Sequence, residues 1–260
     1  MILPSLNLME PQRLREWLAG MTLTMLFGAA LLGIAGWTGT ARAQTSASPV
    51  ILELFTSQGC SSCPPADALM AEWMKLPGIL PLSLHVDYWD YLGWKDTFGK
   101  KGHSNRQQEY AKHMGSRQIY TPQAVVDGQF QAIGSDRKAV QAALRKARDE
   151  QRIALQADRS NGSWQVRVPA AAAQGEAELV LCRYDRRHEV AIDRGENTGR
   201  TVTYLNVARA WNRFGRWSGS AASYALPDLG DIDWSKEGVV VMLQSLNGPI
   251  LGAVDLKPTR

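Results

Sequence analysis

The fold is decided by the stretch VILELFTSQGCSSCPP at residues 50–65. Its first six residues are apolar apart from Glu53, which is typical of a buried, parallel, central strand. A turn follows, and Cys60 and Cys63 then stand at the start of a helix, because the two prolines after them suit a first helical turn. The stretch therefore predicts a strand, a turn and a helix with two cysteines at the helix N-terminus.

Alternating strand and helix patterns continue to residue 150. Helices are predicted at 64–76, 104–114 and 136–150, and strands at 79–86, 123–126 and 130–133, with a hairpin turn at 127–128. Parallel crossovers followed by a hairpin predict a small α/β sheet with helices on its faces.

The pattern changes after residue 152. Short strand patterns separated by turn signals replace the helical ones up to the C-terminus. The fold class predicted is thus an α/β domain at 44–150, followed by a β-rich, sandwich-like domain at 151–260.

The N-terminal 43 residues predict an export signal. Arg13 and Arg15 precede an apolar run at 17–37, which ends in the small-x-small pattern of residues 41–43. A retained membrane anchor is the alternative, because the run is nearly long enough to span a bilayer. Either way, the chain beyond Gln44 is expected outside the cytoplasm, periplasmic or secreted and free of the membrane after cleavage, where disulfides persist.

Charge and cysteine content exclude some classes of function. Lys and Arg number 29 against 25 Asp and Glu, a net charge of +4 that is interspersed along the chain rather than clustered. This distribution argues against nucleic-acid binding. Three cysteines are too few for a scaffold built on disulfides.

The Cys-x-x-Cys spacing itself predicts redox chemistry without an organic cofactor. Two sulfurs one helical turn apart can close into a disulfide. At a helix N-terminus the first thiolate is stabilised by unpaired N–H groups, so Cys60 is the expected nucleophile and the more exposed cysteine. Cys63 is then the residue that resolves the mixed disulfide.

Two other interpretations of the cysteines stay open. One is a structural disulfide in an exported binding protein, and the other is a metal site. Zinc needs two further ligands, and no second Cys-x-x-Cys exists. A soft copper(I) site, which needs fewer ligands, is harder to exclude.

The order of these features resembles the thioredoxin superfamily. The resemblance rests on the first strand with Cys60 and Cys63, on Asp87 after the second strand, and on the segment IYTP at 119–122. It implies a cis Pro122 packed beside the disulfide and a Thr121 backbone offered to a substrate strand. It covers residues 49–150.

A second resemblance spans nearly all of the mature chain. It is to a family of exported thioredoxin-like proteins designated domain of unknown function 1223. The motifs that carry it are ELFTSQGCSSCPPAD at 53–67, HVDYWD at 85–90, YTPQ at 120–123 and RGEN at 194–197. This family implies no settled activity.

Other residues are candidates for supporting roles. Glu53, in the buried strand, is either a proton acceptor for Cys63 or a salt-bridged strand residue. His85 and Asp87 alternate onto one face at a strand end, where sites form in open α/β sheets, and they are either site residues or a satisfied structural pair. Trp89 and its aromatic loop can line a groove for a polypeptide or form a small core of their own.

Cys182 and the polar loop at 193–200 complete the set of candidates. Cys182 lies in a strand pattern and is expected to be a buried apolar residue rather than a redox partner. The loop either docks near the cysteines or connects two strands in solvent. The leading hypothesis is an exported thiol–disulfide oxidoreductase acting on protein thiols or disulfides, with no metal. The alternative is a non-catalytic binding module.

Overall fold

β1 (Val50–Thr56) is a central strand of the protein, and each of its seven residues is buried. The structure, a computed structural model, describes residues 48–160, 163–172 and 175–257, so the predicted export signal at 1–43 lies outside it. The elements that follow β1 are α1 (Pro64–Trp73), β2 (Ile79–His85), α2 (Lys101–His113), β3 (Gln123–Val126), β4 (Phe130–Ile133), α3 (Arg137–Asp149), β5 (Gln156–Ser160), β6 (Ser163–Val168), β7 (Ala177–Ile192), β8 (Arg200–Trp217), β9 (Ala222–Ala225), β10 (Glu237–Ser245) and β11 (Ile250–Asp255).

Eight of these strands form one mixed sheet in the order β11-β10-β7-β8-β2-β1-β3-β4. β1 runs parallel to β2 and antiparallel to β3. β2 meets β8 in parallel at Ser83 and Val207, and there the Ser83 hydroxyl donates to the carbonyl of Leu205 at 2.8 Å. A smaller sheet has the order β5-β6-β9.

The predicted fold class, a thioredoxin-like α/β domain followed by a separate sandwich-like domain, is wrong. Strands from 50–133 and from 177–255 share the eight-stranded sheet, and the described residues form one compact unit. The pattern of each strand shows which faces are buried, but it contains no information about the partner strand across the chain. The limits 44–150 and 151–260 stay predictions.

The hydrophobic core also combines residues from both halves of the chain. One cluster joins Ile51 and Phe55 of β1 to Val180 of β7 and to Val240 and Met242 of β10. A second cluster packs α1 and α3 against the other face of β1. Burial of apolar area therefore joins both halves of the chain to β1, the strand that precedes the cysteines.

Three elements differ most from the sequence prediction, namely α2, β7 and β8. α2 begins at Lys101 rather than Ser104, and the Ser104 hydroxyl donates to Asp87 Oδ1 at 2.5 Å instead of capping the helix. β7 and β8 extend to 16 and 18 residues as one long hairpin. Their outer parts alternate in burial, since one face meets solvent there.

Close packing at Gly252 in β11 generates a stability prediction. A Cβ at this position would overlap the carbonyl oxygen of Ile153. We expect Gly252→Ala to lower the free energy of unfolding by about 1–3 kcal/mol, the usual range for overpacking. Gly102→Ala in α2 is the matched control, because no described atom lies within 4 Å of its added Cβ apart from its chain neighbours and the backbone of its own helix. Alanine also favours a helix over glycine by up to about 1 kcal/mol. Urea denaturation measures both, and equal midpoints for the two variants would contradict the prediction.

Candidate functional site

The two cysteines lie directly after β1 and are joined as a disulfide. The N–H of Cys60 donates to Ser57 O at 3.2 Å, and the N–H of Cys63 donates to Cys60 O at 3.2 Å. The carbonyl of Cys63 then accepts the N–H of Asp67 at 3.1 Å, so Cys63 begins α1. Successive turns therefore place both sulfurs at the N-terminus of the helix.

Both cysteines are buried. The exposed fraction is 3% for Cys60 and 0% for Cys63. The two residues between them, Ser61 and Ser62, are exposed. The disulfide thus lies just beneath a surface formed by the serines.

Thr121 and Pro122 lie close to Cys60. The Cys60 Sγ is 3.8 Å from the carbonyl oxygen of Thr121, and the hydroxyl of Ser62 donates to the same oxygen at 3.4 Å. The Thr121–Pro122 peptide bond is cis, and Pro122 is buried. The structure therefore brings Thr121 and Pro122 to the cysteines from a distant part of the chain.

The aromatic loop after β2, residues 88–96, is held near the cysteines by hydrogen bonds from two indole side chains. Trp89 Nε1 donates to Thr121 Oγ1 at 2.7 Å, and Trp94 Nε1 donates to Gln58 Oε1 at 2.8 Å. Tyr91 stacks on Trp89 with ring centroids 6.3 Å apart and is 76% exposed. One aromatic ring beside the site is consequently available to a partner, while the two indoles fasten the loop.

Asp67 is a buried carboxyl one helical turn after Cys63. The hydroxyl of Thr56 donates to its Oδ1 at 2.8 Å, and its Oδ2 is buried with no hydrogen-bond partner among the described residues. Burial raises the pKa of Asp67 from 3.8 to about 7, and the nearby charge of His85 lowers it in part. Positions i and i+4 share one face of a helix, so this carboxyl lies on the Cys63 side of α1.

His85 stands next to Asp67 and is fully buried. Its Nδ1 is 2.8 Å from Asp96 Oδ2, and its Nε2 lacks a hydrogen-bond partner in the described part of the chain. Burial opposes the charge of Asp96, but His85 and two backbone N–H groups outweigh that effect and lower the pKa of Asp96. Asp87, which the sequence paired with His85, instead receives the Ser104 hydroxyl.

Glu53 takes the salt-bridged arrangement that the sequence left open. Its two carboxylate oxygens lie 2.6 and 3.1 Å from the guanidinium nitrogens of Arg106, and the Tyr110 hydroxyl donates to it at 2.5 Å. The adjoining guanidinium nitrogen bonds Gln244 of β10 at 2.9 Å. These contacts use both oxygens of Glu53, and its role as proton acceptor for Cys63 stays a prediction.

Cys182 is a free, fully buried thiol on β7. Burial raises the pKa of this thiol, because the thiolate would be desolvated. It belongs to the apolar cluster that joins β1, β7 and β10. These surroundings are those of an unreactive core cysteine.

The tip of the β7–β8 hairpin, residues 193–199, docks on the turn at residues 57–60, called the cysteine turn below. The amide nitrogen of Asn197 donates to the carbonyls of Gln58 and Cys60, both at 2.9 Å, and Asn197 is 1% exposed. Glu196 Oε2 accepts the N–H of Ser61 at 3.3 Å. Of the two alternatives that the sequence left open for the polar loop at 193–200, the structure shows the one in which the loop docks near the cysteines.

An open groove of about 420 Å³ lies next to Pro64, the residue that follows Cys63. Pro64 and Ala68 of α1 form one wall, and residues 200–203 of β8 form the other. Within residues 48–160, 163–172 and 175–257 there is no group of three or more His, Cys, Asp or Glu side chains that could hold a metal. In the same part of the chain, no helix has the length and apolar character needed to cross a membrane.

Fold and site together define a class: a mixed α/β protein with a Cys-x-x-Cys disulfide at the end of a central parallel strand. Residues 51–244 match the family model described as "Protein of unknown function (DUF1223)", and the chain belongs to that family. It is also similar to the crystal structure of protein AGR_C_4864 from Agrobacterium tumefaciens, with a TM-score of 0.67 and 29% identity, covering 81% of this chain and 96% of that one. No curated protein matches the chain in sequence.

The structure adds Asp67 and Asp96 to the site, which the sequence did not single out, and it selects Asn197 from the polar loop at 193–200. Asp67 had a readable signal, because it follows Cys63 by four positions in a predicted helix. Asp96 had none, and Asn197 had only its place in that loop, since each contacts the turn at 57–60 across a long stretch of chain. Their roles depend on tertiary contacts.

The buried carboxyl of Asp67 predicts a pH-dependent difference in stability. Its pKa is raised to about 7 in the folded protein, above an unfolded value near 3.9, so between about pH 4 and 7 the folded state holds a proton that the unfolded state has lost. Stability from this group therefore falls as pH rises through that window, by about 1.4 kcal/mol per pKa unit. We expect Asp67→Asn, which cannot ionise, to gain stability relative to the wild type between pH 5 and pH 8.

Urea denaturation at both pH values measures this gain. The exposed Asp149 at the end of α3 offers a control, and Asp149→Asn should track the wild type. The assignment is wrong if Asp67→Asn differs from the wild type by the same amount at pH 5 and pH 8.

Proposed function

We propose that this protein exchanges thiols and disulfides with protein substrates outside the cytoplasm, through Cys60 and Cys63. The observation that carries the proposal is the disulfide at the N-terminus of α1, with Cys60 Sγ 3.8 Å from the Thr121 carbonyl. A sulfur at a helix N-terminus is favoured as a thiolate, which is the form that attacks. The exposed Ser61 and Ser62 mark the side from which a substrate sulfur approaches.

The exchange needs no group beyond the two cysteines and the substrate. In the reducing direction the Cys60 thiolate attacks a substrate disulfide, forming a Cys60–substrate bond and releasing one substrate thiolate. The Cys63 thiol then loses its proton and attacks Cys60 Sγ. The Cys60–Cys63 disulfide forms, the second substrate sulfur leaves, and oxidation of a dithiol substrate is the reverse sequence.

Asp67 is the carboxyl that we propose receives the Cys63 proton. It lies one helical turn from Cys63, and burial raises its pKa to about 7, which suits proton exchange near neutral pH. Its Oδ2, which has no hydrogen-bond partner among the described residues, is available for that proton. Glu53 remains the competing candidate, although its oxygens are occupied by Arg106 and Tyr110.

Substrate binding is assigned to the surface around the disulfide. The groove beside Pro64 and Ala68 is open, and it adjoins the residue that follows Cys63. Tyr91 offers an exposed aromatic ring next to Trp89, and aromatic rings are favoured in protein recognition. The exposed ring of Tyr91 supports a protein partner.

A non-catalytic binding module is the alternative, and the burial of Cys60 favours it. A cysteine with 3% exposure in a closed disulfide is shielded from a bulky partner. In that case the disulfide only fastens the turn after β1, or the reduced pair holds a soft metal such as copper(I). The two functions differ in whether the disulfide is reversibly reduced in the folded protein.

Trapping of the mixed disulfide tests the proposed exchange. We expect reduced Cys63→Ser protein to accumulate a covalent complex with a protein disulfide through Cys60, because the resolving thiol is gone. Reduced Cys60→Ser should form no such complex, and Cys182 is the internal control because its buried thiol should stay unmodified in both variants. Non-reducing electrophoresis and peptide mass spectrometry detect the complex.

Two results would instead support the alternative. One is a wild-type disulfide that resists dithiothreitol until the protein unfolds. The other is a stoichiometric copper ion bound by the reduced protein and lost in Cys60→Ser.

The proton acceptor is tested separately by the rate of resolution. A chromogenic aromatic thiol is loaded onto Cys60, and its release reports the attack of Cys63. We expect Asp67→Asn to slow release at pH 7 by on the order of a hundredfold, the usual size of general-base assistance, and to flatten its pH profile. Glu53→Gln, compared at equal folded fraction, should release at nearly the wild-type rate, and the reverse result would return the role to Glu53.

A further inference from the structure

Glu196 brings a negative charge to the cysteine turn from the hairpin tip. Its Oε2 accepts the N–H of Ser61, the residue that follows Cys60, at 3.3 Å. Glu196 itself is exposed, and its neighbour in sequence lies against the aromatic loop: Gly195 has a φ of +77°, and a Cβ there would be 3.1 Å from Trp94 Cβ. The contact joins positions separated by 135 residues.

Asn197 fixes the position of this carboxylate. Its two bonds to the carbonyls of Gln58 and Cys60, at 2.9 Å each, are buried. The tip is closed further by the N–H of Gly199, which donates to Ile192 O at 2.8 Å. The backbone of Glu196 is therefore held next to the turn, so its charge acts at a defined place.

The charge affects one redox state more than the other. A backbone N–H next to a thiolate can stabilise it by a hydrogen bond, but the N–H of Ser61, the residue after Cys60, is already occupied by a carboxylate. A like charge nearby disfavours the Cys60 thiolate further. The disulfide carries no charge, so Glu196 destabilises the reduced couple relative to the oxidised one.

We propose that Glu196 lowers the reduction potential of the Cys60–Cys63 couple and so gives this protein a reducing role toward protein disulfides. The inference rests on the proposed function and adds the direction of electron flow. In that direction the Cys60–Cys63 bond forms, the substrate disulfide bond breaks, and two electrons pass to the substrate, which leaves as a dithiol. A second exported dithiol protein returns the couple to its reduced form.

Other charged groups near the turn are common to all variants of Glu196. These groups are Asp67 of α1, His85 of β2 and Asp96 of the aromatic loop, and all three are buried. A change made only at Glu196 leaves them in place. The difference between variants therefore isolates the charge at the hairpin tip.

The test is a redox titration of the whole protein in glutathione buffers at pH 7. Glu196→Gln is expected to shift the dithiol–disulfide equilibrium about three- to tenfold toward the dithiol, and tenfold corresponds to about 30 mV for a two-electron couple. Glu196→Lys should shift it further in the same direction, and Cys60 should titrate at lower pH in both variants. In 1 M salt the shift should shrink, because the Debye length falls to about 3 Å.

Glu189→Gln is the matched control. Glu189 is an exposed glutamate on β7 of the same hairpin, paired with Arg187 rather than with the cysteine turn. Its potential should equal that of the wild type, and thermal unfolding should show equal folding of all the proteins. An unchanged potential in Glu196→Gln and Glu196→Lys, an equal shift in Glu189→Gln, or a shift that persists in 1 M salt overturns the inference.

Failure of this inference is distinguishable from failure of the proposed function. A wild type with no reversible couple overturns both. A reversible wild-type couple with an unchanged Glu196→Gln potential overturns only the role of Glu196.

Discussion

The buried backbone of the turn at 57–60 is the constraint on which the site depends. Buried N–H and carbonyl groups need hydrogen-bond partners, and each unpaired one destabilises a fold by roughly 1–3 kcal/mol. The N–H of Gln58 is satisfied by Asp96 Oδ2 at 2.7 Å, and the carbonyls of Gln58 and Cys60 are satisfied by Asn197. Asp96 lies 38 positions away and Asn197 lies 137 positions from Cys60. Local turns place the sulfurs at the start of α1, and these distant side chains satisfy the buried backbone of the turn.

The ion pair of Glu53 and Arg106 is a second constraint of the same kind. It links β1 to α2, and through Gln244 it links both to β10, so it crosses the two halves of the chain. A buried ion pair is weak evidence of net stability, since desolvation offsets the attraction. It does fix which elements meet, because either charge alone would be left unpaired in the core. This explains why a carboxylate is tolerated in the middle of β1.

Glu53 and Asp67 are two buried carboxyls with different environments and different chemistry. Glu53 is bound by a guanidinium and a phenol, whereas Asp67 has one hydroxyl donor and one oxygen without a partner among the described residues. Desolvation without a full set of donors leaves Asp67 with a pKa raised to about 7. Sequence position alone favoured Glu53, because it lies in the strand before the cysteines. The surroundings of each carboxyl, which only the folded chain supplies, favour Asp67 for proton exchange.

The sequence by itself determined the local elements of this protein and its chemically distinctive pair of residues. An apolar run, a turn and a proline-started helix specify β1, the Cys-x-x-Cys turn and α1, because these depend on periodicity and on backbone preferences of neighbouring residues. Family membership also followed from local motifs. The tertiary structure alone decided that β8 pairs with β2, that both halves share one sheet, and that Asn197 and Glu196 reach the cysteine turn. A strand pattern specifies a buried face but not a partner strand, and a polar loop specifies no distant acceptor, so these contacts arise only when the whole chain packs.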